Sequence, residues 1–255
     1  LDTVCEASYK NLEFDGGGSG GSITVTGGGI ISNSCILASG HTSITVDPPE
    51  EGINYVGGIN LNGAPVLVPE ADEVDTPLPT QTIPIPDCFS QPTRTVPSSG
   101  NLLPGLYDGI SLHRDAVLEP GLYCLTDDFS IGNDNLYGVG VTFVMLSGGF
   151  ETGQGTIVLA APLSDAPPAI TGMLVYLVPG NTSEIKLVGN SDSHFTGTLY
   201  APDGSIQIGG TSGVNPTYNT QLVADDIKVN GSAILNIVFD GYQNAQTPSV
   251  LEVNR

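Results

Sequence analysis

Alternating apolar and polar residues between short glycine runs dominate residues 1–63. The clearest alternating runs lie at 22–26, 29–31, 43–46 and 58–61. β-Branched side chains at every second position, bounded by glycine turns, are typical of half-buried strands. The pattern therefore predicts a series of short strand-and-turn units in residues 1–63.

A different texture begins at Ala64, where proline becomes frequent and the regular alternation ends. Proline donates no backbone hydrogen bond and is excluded from helix interiors and central strands. Residues 64–100 are therefore predicted to form one extended arm on the surface. So long a connection is uncommon unless it is functional or docks along something. The prolines are Pro65, Pro69, Pro77, Pro79, Pro84, Pro86, Pro92 and Pro97.

Strand patterns return after Gly100 and repeat at a regular spacing. Similar segments begin at Ile185, Ile206 and Ile227, 21 residues apart. A proline-glycine-leucine-tyrosine motif also recurs, at 104–107 and 120–123. A repeat of this size fits one solenoid turn of three short strands and their corners. Residues 101–240 are predicted to form stacked turns, followed by a tail at 241–255.

The predicted fold class is all-β, a parallel β-helix in which each strand pairs with its equivalent one turn away. Inward aliphatic residues and corners of Gly, Asn or Asp fit this arrangement. A β-sandwich is the alternative, because its irregular strands and turns carry similar signals one at a time.

The net charge of the chain limits the classes of partner that it could bind. The chain has 27 acidic and 6 basic residues, a formal net charge of -21. The chain would repel nucleic acid and anionic membrane surfaces. It contains no long apolar run, so direct insertion of this segment into a membrane is not predicted. Cations, neutral glycans, other proteins and further copies of the chain remain as partners. There is no Trp to stack on sugar rings.

The four cysteines are far apart and form no Cys-x-x-Cys pair, so a zinc or redox site is not expected. An even count in this composition predicts two disulfides and an extracellular or cell-surface location. Of the three pairings, we favour Cys5 with Cys35 and Cys88 with Cys124, because these pairs enclose adjacent segments. Four buried thiols are the alternative.

Several aspartates are candidate acid and base groups, because β-helices can place carboxylates on neighbouring turns. Turn-forming or solvated aspartates are the favoured interpretation. The histidines show no metal-ligand spacing. The residues concerned are Asp127, Asp128, Asp192, Asp225 and Asp226, with His41, His113 and His194.

An acidic run in the arm offers oxygen ligands of the kind that calcium prefers. It follows no known calcium-loop pattern, so a solvated loop is favoured over a site. No other cofactor is indicated. The candidate ligands are Glu70, Asp72, Glu73 and Asp75.

An ordered series of motifs begins near Leu103: PGLYDGISL, PGLYCLTDDFSI, GVGVTFVMLSGG, TIVLAAP, GMLVYL, TGTLYAPDGSIQIGG and QLVADDIKVNGSAIL. Their order and spacing, over roughly 103–235, resemble the extracellular part of bacterial tight-adherence pilus-assembly-like proteins. The resemblance implies a right-handed parallel β-helix outside the cell, often behind an N-terminal membrane segment, without an established enzymatic role. Residues 16–63 look like the turns that precede this region in the family.

These patterns favour a non-enzymatic extracellular structural protein, a self-assembling and adhesive subunit of a cell-surface fibre, pilus-like appendage or coat. A glycan-active or glycan-binding β-helix is the alternative. Assembly is expected through open solenoid ends, through the arm, and through the tail, where Val250, Leu251 and Val253 are suited to adding a strand to a neighbour. Folding of the tail onto its own solenoid is the competing interpretation.

Overall fold

The computed structural model shows a parallel β-helix, a solenoid of about nine turns. It describes residues 11–15, 21–79, 82–164, 168–209, 216–230 and 234–245. Within these residues every paired strand runs parallel to its partner, which confirms the predicted β-helix and rules out the β-sandwich. None of the described residues belongs to a helix long and apolar enough to cross a membrane.

Residues 11–73 form the N-terminal turns. A single turn of 3-10 helix, Pro49–Glu51, lies between the fifth and sixth strands. The strands are β1 (Asn11–Asp15), β2 (Ser22–Thr26), β3 (Ile30–Ser32), β4 (Cys35–Gly40), β5 (Ser43–Asp47), β6 (Ile53–Tyr55), β7 (Gly58–Gly63), β8 (Val66–Val68) and β9 (Ala71–Glu73).

Residues 105–238 form the C-terminal turns. The long strands β21 and β22 bend around corners and contribute to all three sides of the solenoid. The strands are β10 (Gly105–Tyr107), β11 (Ile110–Leu112), β12 (Ala116–Leu118), β13 (Gly121–Leu125), β14 (Phe129–Ile131), β15 (Leu136–Val139), β16 (Val141–Met145), β17 (Phe150–Glu151), β18 (Ile157–Ala160), β19 (Met173–Leu177), β20 (Glu184–Leu187), β21 (His194–Gly209), β22 (Thr217–Asn230) and β23 (Ile234–Val238).

Parallel ladders form the faces of the solenoid. The first face runs through β10, β13, β16 and β19 into the middle parts of β21 and β22. The second face runs through β11, β14, β17 and β20, the ends of β21 and β22, and then β1, β4 and β7. The third runs through β12, β15 and β18, the beginnings of β21 and β22, and then β23, β2, β5 and β8. A small sheet of β3, β6 and β9 completes the N-terminal turns.

The N-terminal strands enter the solenoid in its middle. β1 lies between β22 and β4, and β2 lies between β23 and β5. The N-terminal turns therefore stack beyond the last C-terminal turn, whereas the family resemblance implies that they precede the region beginning at Leu103. This order is possible because a parallel ladder constrains strand direction and not position in the sequence.

The extended arm is shorter than the sequence predicts. β8 and β9 lie inside residues 64–100, which the prolines predict to be an arm throughout. Pro65 and Pro69 flank β8 instead of interrupting it, and strand ends tolerate a missing N–H. The arm, as the term is used below, is residues 74–104. It leads from the end of the solenoid at β9 back to β10 at the opposite end.

A cluster of aromatic rings fills the core of the first C-terminal turns. The ring of Phe143 lies 5.3 Å from that of Tyr123, 5.0 Å from Phe129 and 4.9 Å from Phe150, measured between centroids. Toward the N-terminal turns the core becomes mainly branched aliphatic, although the rings of Phe195 and Tyr218 stack with centroids 5.3 Å apart and Phe14 is buried on β1. Side chains of similar shape thus stack on successive turns, and burying each large apolar side chain contributes about 1.5–3 kcal/mol.

The 21-residue repeat corresponds to the ladder itself. Ile185, Ile206 and Ile227 pair in register on successive turns of the second face. The same inward ladder continues through Leu12 of β1 and Ile36 of β4. Equal spacing in sequence therefore marks equivalent positions on adjacent turns here, and the predicted register is confirmed.

The proline-glycine-leucine-tyrosine motif does not mark the register, because Gly105 pairs with Tyr123 and not with the glycine of the second motif. Its tyrosines donate to carbonyl oxygens four residues earlier, and the Tyr123 hydroxyl also lies 2.8 Å from the Leu102 carbonyl oxygen of the preceding incomplete turn. The Tyr107 hydroxyl donates to the Leu103 carbonyl oxygen at 2.6 Å, and the Tyr123 hydroxyl donates to that of Glu119 at 2.7 Å. The motif therefore stabilises a corner of each turn.

Candidate functional surfaces

The arm lies along the outside of the solenoid. Near its start, the side-chain amide of Asn33 donates to the Leu78 carbonyl oxygen at 2.6 Å and accepts from the Leu78 N–H at 2.8 Å. Farther along, the Tyr176 hydroxyl donates to the Ile83 carbonyl oxygen at 2.8 Å. Because prolines leave the arm few backbone donors, solenoid side chains supply these hydrogen bonds.

An apolar cluster covers the outer side of the first face beneath the arm. The five residues of β16 and those of β19 are all buried, because inward side chains fill the core while outward ones contact the arm and a neighbouring loop. Continuous apolar runs indicate strands buried on both sides, so VTFVM and MLVYL were a usable sequence signal. The cluster comprises Cys88, Leu122, Cys124, Val144, Ala169, Met173, Tyr176, Val178 and Tyr200.

Burial in this cluster changes the acidity of its tyrosines. Desolvation, followed by the neighbouring Tyr200, raises the pKa of Tyr176 to about 12. Desolvation also raises the pKa of Tyr200 itself. Both hydroxyls therefore remain protonated at neutral pH, and that of Tyr176 is available as the donor that holds the arm.

A disulfide locks the arm onto the first face. Cys88 of the arm is bonded to Cys124 of β13, with a Cα–Cα distance of 5.7 Å. This confirms one of the two predicted pairs. Cys35 is also disulfide-bonded, while Cys5, its predicted partner, lies outside the described residues.

Replacing both Cys88 and Cys124 with alanine should lower the free energy of unfolding by about 2–4 kcal/mol, because their bridge closes a long loop. Their sequence separation is 36. The arm should also become the first site of proteolysis, since few hydrogen bonds would then hold it. Urea denaturation and limited proteolysis of the oxidised parent and the variant measure these effects. Equal stability and equal resistance would mean that the apolar cluster alone fixes the arm.

The last part of the arm caps the solenoid end at β10. Thr93 forms a parallel bridge with Leu106, and Leu102 forms one with Leu118, so an incomplete turn covers β10 and β12. Leu102 of this turn is itself fully buried. Prolines in this turn lack N–H donors, which makes it a poor edge for another strand. The expectation of two open ends is therefore wrong at this end.

The opposite end is open in the part of the chain that the structure describes. There β7, β8 and β9 pair only with β4, β5 and β6, one turn inward. Ile59 and Leu61 of β7 are in register with the buried residues Ile36 and Ala38, so they belong to the core ladders. Leu61 is nevertheless 47% exposed. The apolar core thus reaches solvent at this end.

The candidate calcium ligands, for which a solvated loop is the favoured interpretation, lie at the edge of the open end. Asp72 and Glu73 belong to β9, while Glu70 precedes it and Asp75 follows it, and all four are exposed. Successive residues of a strand point to opposite faces, so Asp72 and Glu73 diverge. Among the described residues, no three His, Cys, Asp or Glu side chains meet as a metal site. The structure does not gather these ligands.

The candidate acid and base aspartates include two adjacent pairs, Asp127 with Asp128 and Asp225 with Asp226, and the two pairs lie on distant turns. Asp128 precedes Phe129, Asp226 precedes Ile227, and the ladder between them passes through β17, β20 and β21. At roughly 4.8 Å per rung, these positions are about 19 Å apart. Carboxyl pairs of glycoside hydrolases are about 5–9.5 Å apart. Asp127 and Asp225 occupy the neighbouring positions of the same two corners, so the pairs are not brought together.

Asp128 has a structural role at its corner, where its carboxylate accepts a hydrogen bond from the Gly149 N–H of the next turn at 2.8 Å. Asp192 lies in the turn before β21, and its N–H donates to the side chain of Asn190 at 3.0 Å. His194 is exposed at the start of β21. His41 and His113 are exposed on other turns, so the histidines are not brought together either.

Two lysine ion pairs cross rungs of the second face. The Lys186 Nζ lies 2.6 Å from Glu151 Oε1, and the Lys228 Nζ lies 3.3 Å from Glu13 Oε2. The hydrogen bond to the carboxylate raises the pKa of each lysine, because it favours the charged form. The second pair joins β22 to β1, where the C-terminal and N-terminal turns meet. Sequence reasoning missed it because its partners lie near opposite ends of the chain.

The arm anchors were also missed. Asn33 in a turn and Tyr176 in an apolar strand match no recognisable motif, so only their positions opposite the arm reveal their role. Val250, Leu251 and Val253, predicted to add a strand to a neighbour, lie outside the described residues.

Comparison with protein-family models, curated proteins and solved structures finds no match to this chain. The resemblance to tight-adherence pilus-assembly-like proteins therefore stays a hypothesis. In the part of the chain that the structure describes, the features that a function must explain are a solenoid with one capped end and one open end, and an arm locked along its outer face.

Proposed function

We propose that this protein is a non-enzymatic structural component of the cell surface, a rigid subunit of an extracellular fibre, pilus-like appendage or coat. The observation that carries the proposal is the difference between its ends. The arm caps the end at β10, whereas Leu61 and its neighbours leave the core accessible at β7. A solenoid whose described strands leave one end open is suited to joining another body.

A disulfide supports the extracellular setting, and the net charge supports assembly through a defined surface. The Cys88–Cys124 disulfide holds the arm, and structural disulfides persist in oxidising compartments. The formal charge of -21 makes copies repel one another except where contact surfaces are neutral. Such a protein is expected to assemble through a defined surface.

A structural role is favoured over a glycan-active one because the candidate catalytic aspartates at the two corners are too far apart to act together. Asp128 and Asp226 are about 19 Å apart at the ladder spacing, and Asp128 is bonded to the next turn. Adhesion to a neutral glycan or another protein is compatible with the same scaffold.

Immunogold electron microscopy of intact source cells, with antibodies against the purified chain, should label structures on the outer surface. The reason is that the proposed role places the protein outside the cell with its flanks accessible. Pre-immune serum and cells lacking the protein are the controls. Label found only after the cells are permeabilised would contradict the proposal, as would free thiols at Cys88 and Cys124 in protein isolated with its thiols blocked.

A further inference from the structure

The edge strand β7 at the open end lacks the usual protection against pairing. Its six residues, GINLNG, include no charged residue and no proline. Exposed edge strands normally carry lysine, proline or a bulge that discourages another chain from adding to them. The other two edges are protected, because Pro65 and Pro69 flank β8 while β9 carries Asp72 and Glu73. Among the described strands at this end, β7 is the one suited to accept a partner.

We propose that β7 pairs antiparallel with β7 of a second copy, joining two solenoids end to end as a closed dimer. This inference rests on the proposed assembly function and names its contact surface. A two-fold axis across β7 makes the same surface serve both copies. The axis turns the second solenoid over, so the two strands run in opposite directions.

Charge at the rim selects the axis through β7. This axis exchanges the other two sides of the end turn, so β9 of one copy lies over β8 of the other. Asp72 and Glu73 then approach Val66 and Val68, which are 55% and 46% exposed. An axis through β9 would set carboxylates against carboxylates, and like charges directly opposite destabilise a pair of strands. An axis through β8 would centre the contact between two prolines.

The capped end makes head-to-tail stacking less favourable than the two-fold contact. The incomplete turn of the arm carries Pro92, Pro97 and Pro104, which have no N–H to offer to β7 of another copy. A two-fold contact closes on itself and does not propagate. This edge therefore gives a dimer, and larger structures would grow through other surfaces.

The alternation of side chains places the axis at Asn60. Ile59 and Leu61 continue the core ladders, so Asn60 and Asn62 point outward. Directly opposed residues must share a face. Centred on Asn60, the pairing sets Ile59 opposite Leu61 of the second copy and continues the core across the junction. Centred on Leu61, it would set Ile59 opposite Gly63 and lose that contact.

A cysteine at the axis tests the contact and its register together. In Asn60→Cys, the two introduced residues lie opposite each other with Cα atoms about 4.5–5.5 Å apart, a distance that a disulfide spans. Asn62→Cys is the matched control, because residue 62 of one copy is about 13 Å from residue 62 of the other in this register. Mild oxidation should give a covalent dimer on a non-reducing gel for Asn60→Cys and a monomer for Asn62→Cys.

A charge at the axis tests the strength of the contact. Asn60→Lys should raise the Kd of the dimer about tenfold or more, because two ammonium groups would meet at the axis. The same substitution reduces the net charge from -21, so general repulsion alone would predict tighter association. Thr45→Lys on the outward side of β5 makes the same charge change one turn inward and should not weaken the dimer. Sedimentation equilibrium measures each Kd, and that of the parent should fall as salt rises.

Three results would overturn the inference. One is a parent chain that stays monomeric at millimolar concentration, whether its β7 amides exchange freely or resist hydrogen exchange because the same chain covers the edge. The others are a dimer that Asn60→Lys leaves intact and one that Asn62→Cys traps as readily as Asn60→Cys. Labelling of intact cells is independent of these measurements, so failure here would leave the surface role standing.

Discussion

Replacing Phe14 with aspartate should separate the N-terminal turns from the rest of the solenoid. Phe14 lies on β1, is 2% exposed, and pairs with Val229 of β22 on one side and Ala38 of β4 on the other. The variant loses a buried ring and buries a charge without a partner, and each change alone typically costs about 3–5 kcal/mol. Whole domains are stable by only about 5–15 kcal/mol, so the junction should open.

A cut in the arm makes this separation measurable. A protease site inserted between Leu78 and Ile83 would divide the chain, and the Cys88–Cys124 disulfide lies entirely on one side of the cut. The cut parent should elute as one body on gel filtration, because β22 pairs with β1 and β23 pairs with β2 across the junction. The cut Phe14→Asp protein should elute as separate pieces.

Glu13→Gln is the matched control for this experiment. Glu13 neighbours Phe14 on β1 but points outward, where it forms a partly exposed ion pair with Lys228. Surface ion pairs contribute about 0–1 kcal/mol, so the cut control should stay whole. Co-elution of the pieces of Phe14→Asp would contradict the expectation and show that contacts outside β1 hold the two parts together.

The register of the turns was predictable, but their order was not. Ile185, Ile206 and Ile227 reveal the register because turns of equal length convert a constant sequence offset into spatial adjacency. Nothing comparable links β1 to β22, since Leu12 and Ile227 are partners from opposite ends of the chain. Alternating apolar residues show which side of a strand faces the core, and they do not identify the neighbouring strand.

The arm was likewise predictable in composition but not in destination. Its prolines excluded helix and central strand, which left an extended surface segment in need of a docking partner. That partner is the chain's own first face, anchored through Cys124 and Tyr176. The sequence indicated that a solenoid has exposed end turns, but it did not show which strands form them. It did not reveal that residues 92–104 cover one end or that β7 lies at the other.

Truncating Phe143 to alanine should be the most damaging change to the core that introduces no charge. Phe143 is fully buried at the centre of the aromatic cluster, with the rings of Tyr123 and Phe129 on the preceding turn and that of Phe150 on its own turn. Large-to-small changes at such sites cost about 3–5 kcal/mol, since the surrounding rings cannot collapse into the space.

Val139→Ala provides the matched comparison. Val139 lies on β15 nearby and is 64% exposed, so truncating its side chain should change the free energy of unfolding by about 0.5 kcal/mol or less. Urea denaturation followed by near-ultraviolet circular dichroism, which reports on the packing of aromatic rings, should show a large fall in the midpoint for Phe143→Ala only. Similar midpoints for the two variants would mean that the cluster does not carry the stability of these turns, and that the ladders of backbone hydrogen bonds hold them without it.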